Sequence, residues 1–339
     1  MIKKITILLT CAGGDMAHFL ISNIKKSKDF DYRIIGVDSG AFGSSKKVLD
    51  CSFLVPKGSD INYINSIVTI VKQEKVDFIL PGSDEEALVI SKNKKYLEGI
   101  GATPLVSNSD ILDLITNKED TYKVLSEKGI AIPRCIVLSS AKELNKKLGI
   151  LDYPNKTVVL KPSNGRGGRD VFVLIGNDSP PLWIGSGKRE KRIKQCDFDS
   201  LELDIIDSNP FLIMPCLTSP AYDVDVVANN GNVEFIVVRE RINPVGVPFE
   251  GNKIISSKSK IYEYCCSVVK ELKLDSIHDI DLMTDQNGNI CLLEVNPRQS
   301  GSLAASLVAG YPVIDILVKS KLGLKNKKYS VNKNKKILL

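Results

Sequence analysis

The chain has 339 residues, of which 43% are hydrophobic and 25% are charged, the balance of an ordinary globular protein. This length predicts two or three domains, or one core with a separate lid. The sequence contains no apolar run long enough to span a bilayer, and Met1 to Thr10 are typical of a buried strand rather than a secretion signal. A net charge of +6 is too small to indicate nucleic-acid binding. We therefore expect neither a nucleic-acid partner nor a membrane anchor.

The cysteines and the C-terminal lysines add two expectations. Eight cysteines are scattered without the paired spacing of a metal site. Taken as reduced thiols, they predict a cytoplasmic protein. Part of the positive charge lies in residues 326–339, which we expect to form a frayed, solvated basic tail.

Residues 1–112 alternate buried strands with helices. The first strand runs into a turn containing Gly13 and Gly14, and the second strand ends at Asp38. In dinucleotide-binding domains, glycines form the turn that binds the phosphates, and an acid at the end of the second strand binds the ribose. This sequence is similar, but its glycine spacing differs from Gly-x-Gly-x-x-Gly. We interpret this region as a Rossmann-like domain that does not bind NAD. A later strand at 77–81 runs into a loop with acids at 84–86, beginning with Asp84, and these acids either bind a ligand or cap the next helix.

A glycine-rich loop follows the strand that ends at Lys161. Backbone amides around Gly165, Gly167 and Gly168 can approach a phosphate closely, and Lys161 supplies a point charge beside them. The loop is not a P-loop, because the Gly-Lys-Ser/Thr ending is absent. A hairpin tip without a ligand is the alternative interpretation.

Paired strands are predicted at 222–228 and 233–241. Arg239 and Arg241 are two residues apart, so their side chains leave the same face of the second strand. They are suited to hold an anionic group, and an exposed sheet edge is the competing interpretation.

A β-hairpin is predicted at 279–296, with an Asp-Gln-Asn-Gly turn at 285–288. Glu294 and Asn296 lie on one face of the second strand, and Asp281 on the first strand can meet them across the pair. Two carboxylates and an amide oxygen suit Mg²⁺ beside a nucleotide phosphate, and Arg298 adds a planar cation. The alternative is a surface hairpin with solvated charges.

In this order, these groups resemble those of the ATP-grasp superfamily, most closely the short proteins similar to the carbamoyl-phosphate synthase large subunit. The resemblance covers about residues 4–322, and its most specific part is Glu294-Val-Asn-Pro-Arg298. It implies an α/β plus α+β fold: a Rossmann-like pre-ATP-grasp domain at 1–112 and a two-subdomain ATP-grasp domain at 113–325. The lid subdomain would occupy about 122–211.

The resemblance also implies the ligands and the residues that hold them. ATP phosphates would be contacted by Lys118, Lys161, Ser163, Gly165, Gly167 and Gly168. Adenine would lie against Met214, Pro215, Cys216 and Leu217, with Asp225 among the nucleotide-binding residues. Mg²⁺, or Mn²⁺, would be bound by Asp281, Glu294 and Asn296. Arg298, Arg239 and Arg241 would be the catalytic cations near the γ-phosphate and the incoming acid.

The function implied is an ATP-dependent ligase that joins a carboxylate to an amine or similar nucleophile through an acyl phosphate. Its partners would be small-molecule carboxylate and amine substrates, such as a metabolite or a sugar-linked acid, with a homodimer possible. Two departures from the family pattern concern the nucleotide: Met214–Leu217 contains no acid, and Ala221 stands where a glutamate is common. The alternatives are a kinase-like enzyme that releases a phosphorylated acid or carbamate, and a non-catalytic nucleotide-binding module.

Overall fold

Three β-sheets organise the protein. The computed structural model describes residues 2–165, 169–178, 190–194, 206–207, 209–242, 251–256, 259–327, 329, 331 and 336–337. None of the helices in these ranges combines the length and the apolar character that a membrane span requires.

The first sheet is parallel and forms the Rossmann-like domain that the sequence predicts. Its strand order is β3-β2-β1-β4-β5. The strands are β1 (Lys3–Leu9), β2 (Phe30–Asp38), β3 (Cys51–Leu54), β4 (Phe78–Leu80) and β5 (Thr103–Pro104). The helices around it are α1 (Ala17–Ile24), α2 (Tyr63–Glu74), α3 (Asp84–Lys92) and α4 (Lys94–Gly99), with a 3-10 turn at Gly43–Lys47. Near-continuous apolar runs such as β1 are buried on both faces, as parallel sheets require.

The turn after β1 explains the early glycine pair without a dinucleotide. The Gly13 amide donates to Asp38 Oδ2 at 2.8 Å, and the Gly40 amide donates to Asp38 Oδ1 at the same distance. A Cβ on Gly13 would lie 2.4 Å from the Ala41 carbonyl oxygen, so no larger residue fits there. The acid at the end of β2 is therefore bound by its own backbone.

Two helices connect this domain to the rest of the chain: α5 (Ser109–Thr116) and α6 (Lys118–Glu127). Asn117 separates them and caps α6, because its side-chain oxygen accepts from the Glu119 amide at 3.0 Å. The domain boundary predicted at 112 lies inside α5 and stays a prediction.

The second sheet has the strand order β6-β10-β7-β8-β9. Its elements are β6 (Ile136–Leu138), a 3-10 turn at Ala141–Glu143, α7 (Leu144–Ile150), β7 (Val158–Pro162), β8 (Phe172–Leu174), β9 (Lys191–Ile193) and β10 (Phe211–Pro215). Leu138, Leu148, Phe172 and Phe211 belong to an apolar core of its own. The described elements of this sheet thus form a separate layer at 136–215, which overlaps most of the segment at about 122–211 where the lid is expected.

The third sheet is antiparallel and has the order β15-β14-β11-β12-β13-β16. Its strands are β11 (Thr218–Asn229), β12 (Asn232–Arg241), β13 (Asn252–Ile255), β14 (Ser276–Thr284), β15 (Ile290–Asn296) and β16 (Lys336–Ile337). Helices α8 (Lys260–Glu271), α9 (Leu303–Val308) and α10 (Val313–Lys321) accompany it. The predicted hairpin is confirmed as β14 and β15, with Gly288 at φ +79° in the turn.

The C-terminal segment differs from the frayed tail that the sequence predicts. Val331 and Ile337 are buried, and β16 pairs antiparallel with β13. The Tyr329 ring meets Phe235 edge-on, with 5.9 Å between the ring centroids. The lysine content predicts a solvated segment, but the apolar side chains of Val331 and Ile337 are buried among the described residues.

The first and third sheets are joined by buried polar contacts. Asp315 on α10 accepts hydrogen bonds from Tyr32 and Ser27, each at 2.9 Å. Ser107, just after β5, donates to the Asp275 carbonyl at 2.6 Å and lies 2.8 Å from His278 Nε2. These contacts hold the first sheet against the third sheet, and the candidate site is assembled from residues of both.

Candidate nucleotide and metal site

Two rows of polar side chains cross the third sheet on one face. Strands β12, β11, β14 and β15 are neighbours, so directly paired residues form rows across the four strands. Residues two apart on one strand point to the same side of the sheet. The first row is Arg239, Asp223, Asp281 and Glu294, and the second is Asp225, Asp279 and Asn296. The predicted meeting of Asp281 with Glu294 across the hairpin is confirmed by this register.

Arg239 and Asp225 form a buried ion pair. Arg239 is 0% exposed, and its Nε and Nη2 each donate to Asp225 at 3.0 Å. Arg239 Nη1 donates to Ser302 Oγ at 2.6 Å. Since β13 flanks β12, the exposed-edge interpretation is wrong. The sequence predicts that Arg239 faces an anion and that Asp225 contacts the nucleotide. In the structure the two side chains instead pair with each other inside the sheet.

Arg241 reaches the surface of the same face. Its Nε lies 3.0 Å from both oxygens of Asp223, and its Nη2 donates to Asp281 Oδ1 at 3.1 Å. Burial opposes its charge, but Asp223 and Asp281 outweigh burial and raise its pKa. With 18% of its side chain exposed, Arg241 can offer part of its guanidinium to an anion.

Lys118 and Lys161 converge on Glu294. Lys118 Nζ lies 3.1 Å from Glu294 Oε2, and Lys161 Nζ donates to Tyr122 Oη at 3.0 Å and to the Leu293 carbonyl at 3.2 Å. Burial, and then the charge of Lys118, lower the pKa of Lys161 to about 7. Burial would raise the pKa of Glu294, but the two lysines lower it overall. Two crowded cations beside one acid leave this corner ready for an additional anion.

The root of the glycine loop is fixed at this corner. The Lys118 amide donates to the Ser163 carbonyl at 2.9 Å, and Lys118 Nζ donates to the Gly165 carbonyl at 2.5 Å. Ser163 Oγ is buried and has no hydrogen-bond partner among the residues that the structure describes. An orphaned hydroxyl beside two lysines fits a phosphate oxygen. The predicted contacts Gly167 and Gly168 lie outside the described residues.

An apolar patch lies between the second and third sheets. Met214 and Leu217 pack with Cys291, and Val159 and Leu293 lie against them. Pro215 ends β10, and the Cys216 amide donates to the Thr157 carbonyl at 3.2 Å. Cys216 itself packs with Val173 rather than in the patch. The predicted adenine segment therefore supplies two side chains, Met214 and Leu217, to a buried apolar cluster between the sheets.

Arg298 is held by acids from two domains. Its Nε pairs with Asp84 at 3.0 Å, and its Nη1 pairs with Asp279 at 3.4 Å. Arg298 Nη2 donates to Asn296 Oδ1 at 3.2 Å, and Asn296 Nδ2 lies 3.3 Å from both Asp279 and Asp281. The arginine is thereby oriented along the strand face with 20% of its side chain exposed.

Asp223 and Asp279 are candidate site residues that the sequence did not identify, whereas Asp84 was named as either a ligand-binding or a helix-capping acid. Ser83 caps α3 by accepting from the Glu86 amide, which leaves Asp84 free to reach Arg298. The available signal was an Asp-x-Asp pattern in each of two strands, at 223–225 and at 279–281. The two patterns come together only because β11 pairs with β14, which places Asp223 opposite Asp281 and Asp225 opposite Asp279.

The residues of this face fit a hard cation. Asp223, Asp279 and Asp281 each offer an oxygen within 4.8 Å of the others. Burial, followed by the charge of Asp223, raises the pKa of Asp279 to about 7. Burial and Asp279 likewise raise the pKa of Asp281. Carboxylates that repel one another, with the Glu294 carboxylate and the Asn296 amide beside them, are suitable ligands for Mg²⁺.

Comparison with known proteins agrees with this architecture. Residues 207–339 match the family model described as ATP-grasp in the biosynthetic pathway with Ter operon, and residues 7–105 match the PylC-like N-terminal domain. The arginine-specific large chain of carbamoyl phosphate synthase from Geobacillus stearothermophilus is 24% identical over 270 residues, covering 77% of this chain and 24% of that protein. The chain thus spans about a quarter of the length of the curated relatives it matches.

Two solved structures show the same fold. One is the biotin carboxylase domain of Hydrogenobacter thermophilus 2-oxoglutarate carboxylase, in complex with MgADP, ADP and bicarbonate. It has a TM-score of 0.68 and 15% identity, and the match covers 96% of this chain and 71% of that chain. The other, an L-amino acid ligase from Bacillus licheniformis, has a TM-score of 0.67 and 13% identity, covering 94% and 75%. The chain is therefore similar to ATP-grasp proteins over residues 207–339, to PylC-like N-terminal domains over residues 7–105, and to part of the carbamoyl phosphate synthase large chain.

Proposed function

We propose that this protein is an ATP-dependent ligase that activates a small carboxylic acid as an acyl phosphate and transfers the acyl group to an amine or similar nucleophile. One observation supports the proposal: the third sheet places Asp281 opposite Glu294, while Lys118 pairs with Glu294 and also donates to the Gly165 carbonyl at the root of the glycine loop. The proposed phosphate-binding and metal-binding groups would thus share one corner.

The nucleotide is proposed to lie between the second and third sheets. Met214 and Leu217 would contact the base, and Lys118, Lys161 and Ser163 Oγ would contact the phosphates. Arrival of phosphate favours the protonated form of Lys161, whose pKa of about 7 reflects burial beside Lys118. The fold relatives support this placement, because several were solved with ADP or ATP.

Asp281, Glu294 and Asn296 are the proposed magnesium ligands. The metal would neutralise charge that develops on the transferring phosphoryl group. Asn296 Oδ1 accepts a hydrogen bond from Arg298 Nη2 at 3.2 Å, and its second lone pair would be the one offered to the metal.

Arg241 and Arg298 are proposed to hold the acid substrate. Both are partly exposed and oriented by carboxylates, whereas Arg239 has no exposed atom and serves as a positioning residue for the sheet face. A carboxylate oxygen of the substrate would attack the γ-phosphorus, forming the acyl phosphate and releasing ADP. The amine would then attack the carbonyl carbon and expel phosphate. The protein supplies position and charge, not a nucleophile.

A second candidate is a non-catalytic nucleotide-binding module. The observation that favours it is the absence of an acid at 214–217 and at Ala221, which is buried in β11. A kinase-like enzyme that releases the phosphorylated acid is a third candidate with the same phosphate site.

A screen of acids and amines separates these candidates. The protein is incubated with ATP, Mg²⁺ and pooled carboxylic acids, with and without amines, and ADP and products are measured. ADP together with an amide supports the ligase. ADP with a stable phosphorylated acid supports the kinase-like enzyme, and ATP binding without any acid-dependent ADP supports the non-catalytic module.

A further inference from the structure

Tyr122 is a buried tyrosine beside the two lysines of the candidate site. It follows Lys118 by four residues on α6, so the two side chains leave the same face of the helix. Tyr122 is 2% exposed, and its ring centroid lies 5.4 Å from Lys161 Nζ. Helix α6 therefore reaches the site twice, through Lys118 to Glu294 and through Tyr122 to Lys161.

The Tyr122 hydroxyl both accepts and donates. It accepts a hydrogen bond from Lys161 Nζ at 3.0 Å. Its own proton is directed to β15, where the carbonyl oxygens of Leu293 and Leu292 lie 2.8 and 3.0 Å from Tyr122 Oη. The Leu293 carbonyl also accepts from Lys161 Nζ at 3.2 Å. The ammonium, the hydroxyl and the carbonyl thus form a closed triangle of hydrogen bonds.

The strand register explains why the Leu293 carbonyl is available to this triangle. Asp281 pairs with Glu294 and Leu282 pairs with Leu292, so Leu293 has no residue directly opposite it on β14. An extra residue of this kind is left out of the ladder of paired residues, and such irregularities are common beside functional sites. Tyr122 and Lys161 bind the carbonyl of Leu293 instead.

The triangle leaves one donor of Lys161 unused. An ammonium group has three N–H donors. Among the residues that the structure describes, Lys161 Nζ has two acceptors, Tyr122 Oη and the Leu293 carbonyl. The third N–H is available to a phosphate oxygen of the proposed nucleotide. Because a lysine side chain is flexible, fixing it before the ligand arrives lowers the entropy cost of binding.

We propose that Tyr122 is a positioning residue, whose hydroxyl holds the Lys161 ammonium in place for a nucleotide phosphate. Tyr122 acts through Lys161 and does not itself contact the nucleotide. The inference rests on the nucleotide site of the proposed function, and it does not depend on which acid or amine the protein uses.

A double-mutant cycle tests whether Tyr122 acts through Lys161. Tyr122→Phe keeps the ring and removes the hydroxyl. Binding of a non-hydrolysable ATP analogue with Mg²⁺, measured by calorimetry, should weaken roughly fivefold or more, because hydrogen bonds to an ammonium are stronger than those between neutral groups. Lys161→Met should also weaken binding. In the Lys161→Met protein, Tyr122→Phe should cause no further loss, whereas a purely structural role would give the same loss in both backgrounds.

Tyr264→Phe is the matched control. The Tyr264 hydroxyl also donates to a backbone carbonyl, that of Ala131 at 2.6 Å, but it takes no part in the triangle. This variant should bind the analogue as the unmodified protein does. If Tyr122→Phe does not fold, Tyr122→Met takes its place, since methionine also lacks the hydroxyl and fills irregular core space.

Three results would overturn the inference: unchanged binding in Tyr122→Phe, an equal loss in the Lys161→Met background, or a loss of the same size in Tyr264→Phe. Failure of the unmodified protein to bind the analogue would contradict both this inference and the proposed function. The acid screen measures ADP and products rather than binding, so a negative screen contradicts the ligase and leaves the binding cycle unaffected.

Discussion

Glu294 is the residue at which the proposed phosphate and metal contacts meet. Glu294→Gln keeps the size of the side chain and removes the charge that would face Mg²⁺. Because metal charge neutralisation contributes several kcal/mol in such reactions, we expect turnover to fall by about 10²-fold or more. Steady-state ADP release measures the effect.

Asp285 provides the matched control on the same hairpin. Its carboxylate accepts from the Asn287 and Asn289 amides, each at 2.8 Å, and takes no part in the polar rows. Asp285→Asn should leave turnover nearly unchanged. Equal, small effects at positions 285 and 294 would mean that the hairpin is scaffold and that the metal assignment has to be withdrawn.

Asp225 gives a prediction of stability rather than of chemistry. Asp225→Ala would leave the Arg239 guanidinium buried and without its main partner, so the free energy of unfolding should fall by about 3–5 kcal/mol. Urea denaturation measures it. Glu240→Ala is the control, because Glu240 meets Lys253 at 3.8 Å in a partly exposed pair. A loss at position 225 as small as that at 240 would contradict the buried-pair interpretation.

The contrast between these residues shows what the sequence could and could not predict. Glu294, Asn296 and Asp281 were identifiable because a local turn fixes which face each occupies. Arg239 was assigned an open position, since strand alternation gives its face but not the depth of the layer above it. Asp225 pairs with it from the neighbouring strand β11, and Ser302 bonds to it from a distant part of the chain.

At the scale of elements, local hairpins were predictable and long-range pairing was not. The β14–β15 turn and the β11–β12 turn each carry glycine and asparagine signals at the right place. The pairing of β11 with β14, which brings Asp223 to Asp281, joins segments separated by helix α8 and has no local signal. The helical segment after residue 302 is divided into α9 and α10, because Gly310 at φ +95° and Pro312 interrupt it.

The glycine loop gives a prediction at the same scale. Its root is held by Lys118, which donates to the Gly165 carbonyl and would turn to phosphate when ATP binds. We expect the loop to close over the phosphates and to shield Arg166 and Arg169, as lids commonly do. Limited trypsin digestion with a non-hydrolysable ATP analogue should therefore be slower at these two arginines. Equal cleavage with and without the analogue would count against a lid.

At the scale of the whole molecule, the first sheet takes part in the site through Asp84. That acid lies at the carboxyl end of β4, where open α/β sheets bind ligands, and it pairs with Arg298 of the third sheet. The Rossmann-like fold was predictable from alternating strands and helices. The docking that delivers Asp84 to Arg298 was not, since it depends on buried contacts such as Tyr32 with Asp315.

The arrangement of the first and third sheets predicts that the protein binds ATP rather than NAD. ATP with Mg²⁺ should raise the melting temperature, because a ligand that binds only the folded state stabilises it. NAD should not, because Asp38 is already bound by the amides of Gly13 and Gly40. Thermal shift measurements test both. Stabilisation by NAD and none by ATP would reverse the interpretation of the first domain.

The central claim is that this protein forms an acyl phosphate, and hydroxylamine tests it most directly. Hydroxylamine attacks an acyl phosphate as a small amine would and leaves a hydroxamate, which can be measured with ADP from the same reaction. With ATP, Mg²⁺ and an active acid from the screen, we predict equal amounts of hydroxamate and ADP, both lost in Glu294→Gln. Acid-dependent ADP without hydroxamate, or hydroxamate formed equally by Glu294→Gln, would contradict the account.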